Sequence, residues 1–158
     1  SDNGLLKLVN VEQKLLLGTW GARQDTNLSI DQIIKHNIDE STESVYMVQR
    51  CGAVQHFNIE NGSLVQQIEL PDLKSKLPHR YTGLYHFEKD GNIMTSTNFG
   101  DIYILPFDNI EEKFQKPDPI ASFKVGSDIE RAVVNYHRDN EIATGGDEEP
   151  LKVWDINT

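Results

Sequence analysis

The chain has 158 residues, 37% of them hydrophobic and 25% charged, a composition of folded rather than disordered proteins at a length that suits one domain. A formal net charge of −10 argues against gripping nucleic acid by charge alone, because neutralising phosphates needs clustered Lys and Arg. No apolar run nears the roughly 20 residues a bilayer requires, no basic start leads into a hydrophobic signal core, and Cys51, the single cysteine, excludes an internal disulfide or a multi-cysteine zinc site.

In chain order the first feature is Gly4-Leu-Leu-Lys-Leu-Val-Asn-Val11, and it returns. Its counterparts are Gly52-Ala-Val-Gln-His-Phe-Asn-Ile59, Gly100-Asp-Ile-Tyr-Ile-Leu-Pro-Phe107 and Glu149-Pro-Leu-Lys-Val-Trp-Asp-Ile156, with starts spaced 48, 48 and 49 residues apart. Large apolar residues hold the third, fifth, sixth and eighth places of the pattern, as Leu151, Val153, Trp154 and Ile156 do, which predicts a strand buried on both faces. The leading glycine of three copies suits a tight turn with positive φ, while Gly145-Gly146 precedes the fourth.

Around each copy the same companions recur. Strand-like runs at 45–49, 93–97 and 142–144 precede it across short polar turns, which predicts hairpins, and the runs 14–19, 63–70 and 120–125 follow it. The segments 30–38, 81–87 and 129–136 open the next unit. Residues 30–38 carry apolar side chains at helical spacing, yet their place in the repeat favours a strand. Residues 108–116 set Ile110 and Phe114 four apart after an Asp-Asn start, which predicts a short helical turn ended by Pro117 and Pro119.

Four strands per unit of about fifty residues, without a long amphipathic helix, predict an all-β propeller. The expected division is 1–28 as the end of one blade, 29–72 and 78–126 as blades, and 128–158 as a blade lacking its last strand. That makes about three and a third four-stranded blades, whereas a closed ring needs about four to eight. The expectation is therefore a portion of a larger propeller, or a propeller whose remaining blades come from elsewhere.

The closing unit, Ile142-Ala-Thr-Gly-Gly-Asp-Glu-Glu-Pro-Leu-Lys-Val-Trp-Asp-Ile156, resembles a WD-repeat blade, with Trp154-Asp155 as the naming dipeptide. At the corresponding places the chain has Val9-Asn10, Phe57-Asn58 and Leu105-Pro106, so the propeller is divergent. Along nearly its whole length the chain resembles the WD-repeat ribosome-biogenesis factors typified by Nop-seven-associated protein 1 in yeast and WD repeat-containing protein 74 in animals. The residues that carry this are Asn3-Gly4-Leu5-Leu6-Lys7, Val54-Gln55-His56-Phe57 with Glu60-Asn61-Gly62, Phe123-Lys124-Val125-Gly126, Ala143-Thr144-Gly145-Gly146 and Leu151 to Ile156. Residues 70–81 match poorly. The resemblance implies a seven-bladed WD-repeat propeller, of which this chain would be the N-terminal portion. It also implies a non-enzymatic scaffold in the nucleolus and nucleus that docks other assembly factors on the large ribosomal subunit precursor and is released by a AAA-type ATPase. The family's basic C-terminal tail has no counterpart in these residues.

Motifs for other chemistry are missing from the sequence. It holds no phosphate loop, no nucleophile turn of the Gly-x-Ser-x-Gly type and no His-Glu-x-x-His zinc helix. His56 alternates with apolar residues and reads as a buried, hydrogen-bonded imidazole. His79 and His86 stand too far apart along one strand to share a metal, and His137 reads as part of a solvated turn. Asp147, Glu148 and Glu149 read as an exposed acidic hairpin rather than a cation site, Cys51 as an inert thiol and Trp20 as a packed strand end. The expectation is no catalytic, cofactor or metal site, no membrane contact and no small-molecule substrate. An enzyme working at a central channel is the weakest alternative, and a WD-repeat adaptor in another nuclear or cytoplasmic complex is the stronger one.

Propeller strands are committed to packing, so binding is expected on loops. Second-to-third turns and blade-to-blade connections share a face, and they supply Arg23, Asp25, Arg50, Lys74, Lys76, His79, Arg80, Phe99, Asp147 and Glu148 as expected partner-binding residues. Phe99 is an aromatic anchor candidate. Lys74, Lys76, His79 and Arg80 form the one basic stretch, suited to pre-rRNA phosphate or an acidic factor, with a solvated loop as the plainer reading.

Overall fold

Runs of Val, Ile, Tyr and Thr bounded by Gly, Asn and Asp favour pleated segments over helices, and among the described residues every regular element is a β-strand. The computed structural model describes residues 5–21, 30–39, 42–49, 52–73, 80–87, 89–108, 112–126, 131–135, 138–146 and 150–155. A first sheet pairs β1 (Leu5–Asn10) with β2 (Leu15–Gly21). In the second, β3 (Ile30–Asp39), β4 (Thr42–Gln49), β5 (Ala53–Asn58) and β6 (Leu64–Glu69) follow one another as an antiparallel meander. The third holds β7 (Tyr81–Phe87), β8 (Asn92–Thr97), β9 (Asp101–Pro106) and, after an excursion through β10 (Phe114–Gln115), the outer strand β11 (Ala121–Lys124). In the fourth, β12 (Arg131–Asn135), β13 (Arg138–Gly145) and β14 (Lys152–Asp155) are antiparallel.

Residues 30–38 form β3, so position in the repeat outweighs helical spacing. The helical turn expected at 108–116 is not what its described part forms. Phe114 and Gln115 extend as β10, parallel to β6, with Phe114 opposite Gln67 and Gln115 opposite Ile68. The reason is an unpaired edge. The backbone N–H of Gln67 donates to the Lys113 carbonyl at 2.8 Å, a partner that a helical turn closed on itself does not supply.

The core lies between sheets. Tyr46, Val48, Val54, Ile68 and Leu70 of the second sheet and its exit pack against Tyr81, Leu84, Ile93, Leu105 and Phe107 of the third. The opposite face of the third sheet sends Phe87, Met94, Ile102 and Val125 against Ile142, with Trp154 packed on the same cluster. Adjacent residues such as Ile93 and Met94 thus serve different neighbours, which explains the nearly continuous apolar runs in the sequence. Large exposed apolar side chains stand on the first and fourth sheets and their turns, where Val11 is 83% and Leu151 78% exposed, and also at Val65, Phe114 and Ile120.

Several buried polar groups are satisfied within the sheets. Gln49 donates to Gln55 at 3.2 Å and Gln55 to Gln67 at 2.6 Å, a side-chain amide ladder across β4, β5 and β6. The Thr95 hydroxyl donates to the Gly83 carbonyl at 2.8 Å. The indole N–H of Trp154 donates to the Thr144 hydroxyl at 2.9 Å, so the residue of the Trp-Asp dipeptide both covers the inter-sheet core and ties β14 to β13. Asp155 accepts from the Asn140 side chain at 3.3 Å.

The repeated glycine does what the pattern predicts. Gly52 and Gly100 open β5 and β9 with φ of 101° and 84°. At Gly100 the requirement is double, because a Cβ there would lie 2.3 Å from the Gly126 carbonyl oxygen. Gly100→Ala is therefore expected to cost about 2–5 kcal/mol through backbone strain and overlap. Gly62→Ala, at a surface turn with φ of 67°, is expected to cost about 1 kcal/mol. Chemical denaturation of both variants checks this, and equal losses would refute the role given to the Gly126 contact.

Candidate functional site, a loop face with fixed roots

An antiparallel meander returns its second-to-third turns and its exits to the same side, and the hydrogen bonds show how the two are joined. The Leu70 N–H donates to the Gly52 carbonyl at 2.8 Å, and the Val125 N–H donates to the Gly100 carbonyl at 2.9 Å, so each exit is pinned to the turn of its own sheet. The exit of the second sheet carries further ties. The Tyr81 hydroxyl donates to the Pro71 carbonyl at 2.6 Å, and Lys116 pairs with Asp72 at 3.1 Å. Burial, helped by the neighbouring Tyr103, Asp72 and Asp101, pushes the Tyr81 phenol far above its ordinary value, so it remains a donor at any working pH. At the far end the Arg80 N–H donates to the Asn98 side chain at 2.8 Å, and the Asn98 N–H donates back to the Arg80 carbonyl at 3.0 Å. The connection is thus anchored at residues 70, 71 and 72 and again at 80.

Of the expected partner-binding residues, Arg80 and Phe99 are described. Both are half-buried, and the reciprocal bonds between Arg80 and Asn98 bring them to one place on this face. Arg23, Asp25, Arg50, Lys74, Lys76, His79, Asp147 and Glu148 lie outside the described residues, as does Cys51.

A second constellation lies toward the opposite side, where sequence reasoning did not assemble it. The His56 ring stacks on Tyr46 across the β4–β5 pair, with centroids 4.4 Å apart and planes at 8°. His86, from β7, stacks on the same Tyr46 at 4.7 Å, and its Nε2 lies 2.9 Å from an Asp108 carboxylate oxygen. Phe107 closes the group edge-on to Tyr46 at 5.6 Å. The expectation of a buried, hydrogen-bonded His56 is half right. The ring is buried, yet its Nε2 finds no hydrogen-bond partner among the described residues and packs as an aromatic surface. Alternation with apolar neighbours signals burial of His56 and His86, whereas their shared tyrosine depends on the packing of two different sheets. Burial lowers the His56 pKa to about 4, with Asp108 opposing the drop and His86 adding to it. The imidazole is therefore neutral at physiological pH.

Among the described residues no group of His, Cys, Asp and Glu is placed to hold a metal ion. A recess of about 240 Å³ beside β9 and β11, lined by Asp101, Tyr103, Ser122 and Lys124 among others, is smaller than the roughly 300–1,000 Å³ of small-molecule sites.

Antiparallel sheets of three to five strands packed face to face in chain order, with a Trp-Asp strand bonded to a Thr of its neighbour, define a WD-repeat β-propeller. A WD-repeat chain of the crystal structure of the mitotic checkpoint complex shares this fold with a TM-score of 0.63 at 16% identity, over 99% of this chain and 43% of that one. No known protein-family profile matches the chain. In sequence it is similar to WD repeat-containing protein 74 of Bos taurus, 27% identical over 156 residues, and of Homo sapiens, 26% identical over 157. Each alignment covers 99% of this chain, which spans 38% of the length of either relative. The similarity thus supports the animal member of the resemblance drawn from the sequence, and the yeast member receives no separate support.

The His56 environment carries a prediction with a definite sign. Above pH 6.5 the ring is neutral in folded and unfolded chains alike. As pH falls below 6.5 the unfolded chain takes up a proton that the folded one refuses, so stability declines until about pH 4. The decline attributable to His56 is about 3 kcal/mol. Urea denaturation of wild type and His56→Phe at pH 7.5 and 4.5 checks it, with a smaller acid loss expected in the variant. Equal acid losses in both proteins would rule the histidine out.

Proposed function

We propose that this chain is part of a non-enzymatic scaffold for maturation of the large ribosomal subunit precursor, working in the nucleolus and nucleus and docking assembly factors through its loop face. The observation that carries this reading is similarity to WD repeat-containing protein 74 along 99% of the chain, on a propeller whose described polar interior is used for packing. The anchored roots at 70–72 and 80 support the second element of it. They fix the ends of the segment that holds Lys74, Lys76 and His79, so partner binding spends less on ordering it. Release by a AAA-type ATPase and contact of the basic stretch with pre-rRNA phosphate belong to the same proposal. The alternative is a WD-repeat adaptor in another complex, favoured by one observation: the structural neighbour is itself part of a multi-protein assembly.

Affinity purification of the full-length protein from growing cells at moderate salt separates the two. Recovery of large-subunit rRNA precursors with assembly factors is expected. A ubiquitin or chromatin complex in their place would leave the propeller standing and remove the ribosomal role. Within the same experiment Phe99→Ala and a joint Lys74→Glu, Lys76→Glu variant are expected to reduce recovery of partners by about tenfold, the effect of losing one binding anchor of about 1.4 kcal/mol. Their thermal unfolding is expected to stay near that of wild type.

A further inference from the structure

We infer that the excursion between β9 and β11 is a strap that makes the second and third sheets open as one unit. The second and third sheets meet face to face in their shared core. Here the chain of the third sheet also supplies a strand to the outer edge of the second, where β10 lies parallel to β6.

The path of the excursion is fixed at several points. It starts from the shared core. The N–H groups of Phe107 and Asp108 both donate to the Gly91 carbonyl, at 2.9 and 2.8 Å, and Phe107 is fully buried between the two sheets. The buried Gln66 side chain of β6 donates to the Phe107 carbonyl at 2.8 Å, and Asp108 holds His86. Farther on, the Lys113 carbonyl accepts from the Gln67 N–H, and Lys116 reaches Asp72 beyond the end of β6. The excursion then returns, and the Ile120 N–H donates to the Ile104 carbonyl at 2.8 Å before β11 begins. Its residues 113–116 therefore run along β6 toward the loop face.

An outer strand is the part of a blade that frays first, because one of its edges faces solvent. The N–H groups of an antiparallel strand alternate between its two edges. The Leu70 N–H turns inward to Gly52, and that of Gln67 turns outward to the strap. Opening of the β6 edge at Gln67 thus requires β10 to lift, and the neighbouring Gln66, bonded to the Phe107 carbonyl, ties the same edge to the core shared with the third sheet.

The amide of Gln67 reads this directly. Hydrogen exchange of the full-length protein, with and without low denaturant, is compared with a variant whose residues 112–119 are replaced by a Gly/Ser stretch of equal length, and with Asp108→Asn, which changes a single charged group. In wild type the amides of β6 and β8 are expected to share one opening free energy and one denaturant dependence. In the Gly/Ser variant Gln67 is expected to exchange about tenfold faster or more while β8 keeps its protection. Asp108→Asn is expected to shift Gln67 in the same direction by less. The inference is overturned if β6 and β8 already open independently in wild type. It is equally overturned if Gln67 exchanges at an unchanged rate in both variants, or if the acceleration spreads evenly over all sheets.

Discussion

Burial of a sheet on both faces is the constraint on which the rest of this structure depends. In the third sheet Ile93 and Leu105 serve the core shared with the second, and Met94 and Ile102 the core shared with the fourth. A strand so placed has no solvent face for its polar side chains, and an unpaired buried polar group costs about 1–3 kcal/mol. Most polar residues inside the strands therefore bond within the sheets, with His56 an exception. The glutamine ladder, the Thr95 bond to Gly83 and the Trp154 bond to Thr144 all answer this demand.

The same constraint moves chemistry to the turns. A turn is useful for recognition only if its roots are held, and here the holding is done by backbone groups, the Tyr81 hydroxyl, the Asn98 side chain and the Lys116–Asp72 pair. Leu70, Pro71 and Arg80 are each fixed through a main-chain atom, which holds the two ends of the 70–80 connection. Protein-binding propellers of widely different sequence are possible for this reason: the frame is conserved by geometry while the exposed side chains vary.

How much of this can be read in the sequence follows from range. The strands, the glycines at 52 and 100 and the Trp-Asp strand are local or recur at a fixed spacing, so they are legible, and the repeat even corrects the helical spacing of residues 30–38. What escapes depends on which distant edge is left open. Ile110 and Phe114 look like a helical pair because nothing near them shows that β6, more than forty residues earlier, offers an unpaired Gln67 N–H. The stack on Tyr46 escapes for a related reason. It joins β4, β5 and β7, and only the packing of the second sheet on the third sets His86 beside a tyrosine forty residues away.

Two imidazoles on one tyrosine also show how position decides chemistry. His86 stands next to Phe87, whose carbonyl accepts the Gly91 N–H, and Gly91 in turn orients Asp108, so this ring receives a carboxylate from the root of the excursion. His56 lies in mid-sheet opposite Tyr46, where no backbone turn delivers a partner, and its polarity is suppressed by keeping it neutral. A proton on His56 would sit close to His86 in a site from which water is largely excluded, with Asp108 already engaged. The arrangement therefore favours a neutral His56, and both rings act as flat packing surface between sheets. Histidines employed in this way supply inter-sheet adhesion through their ring faces.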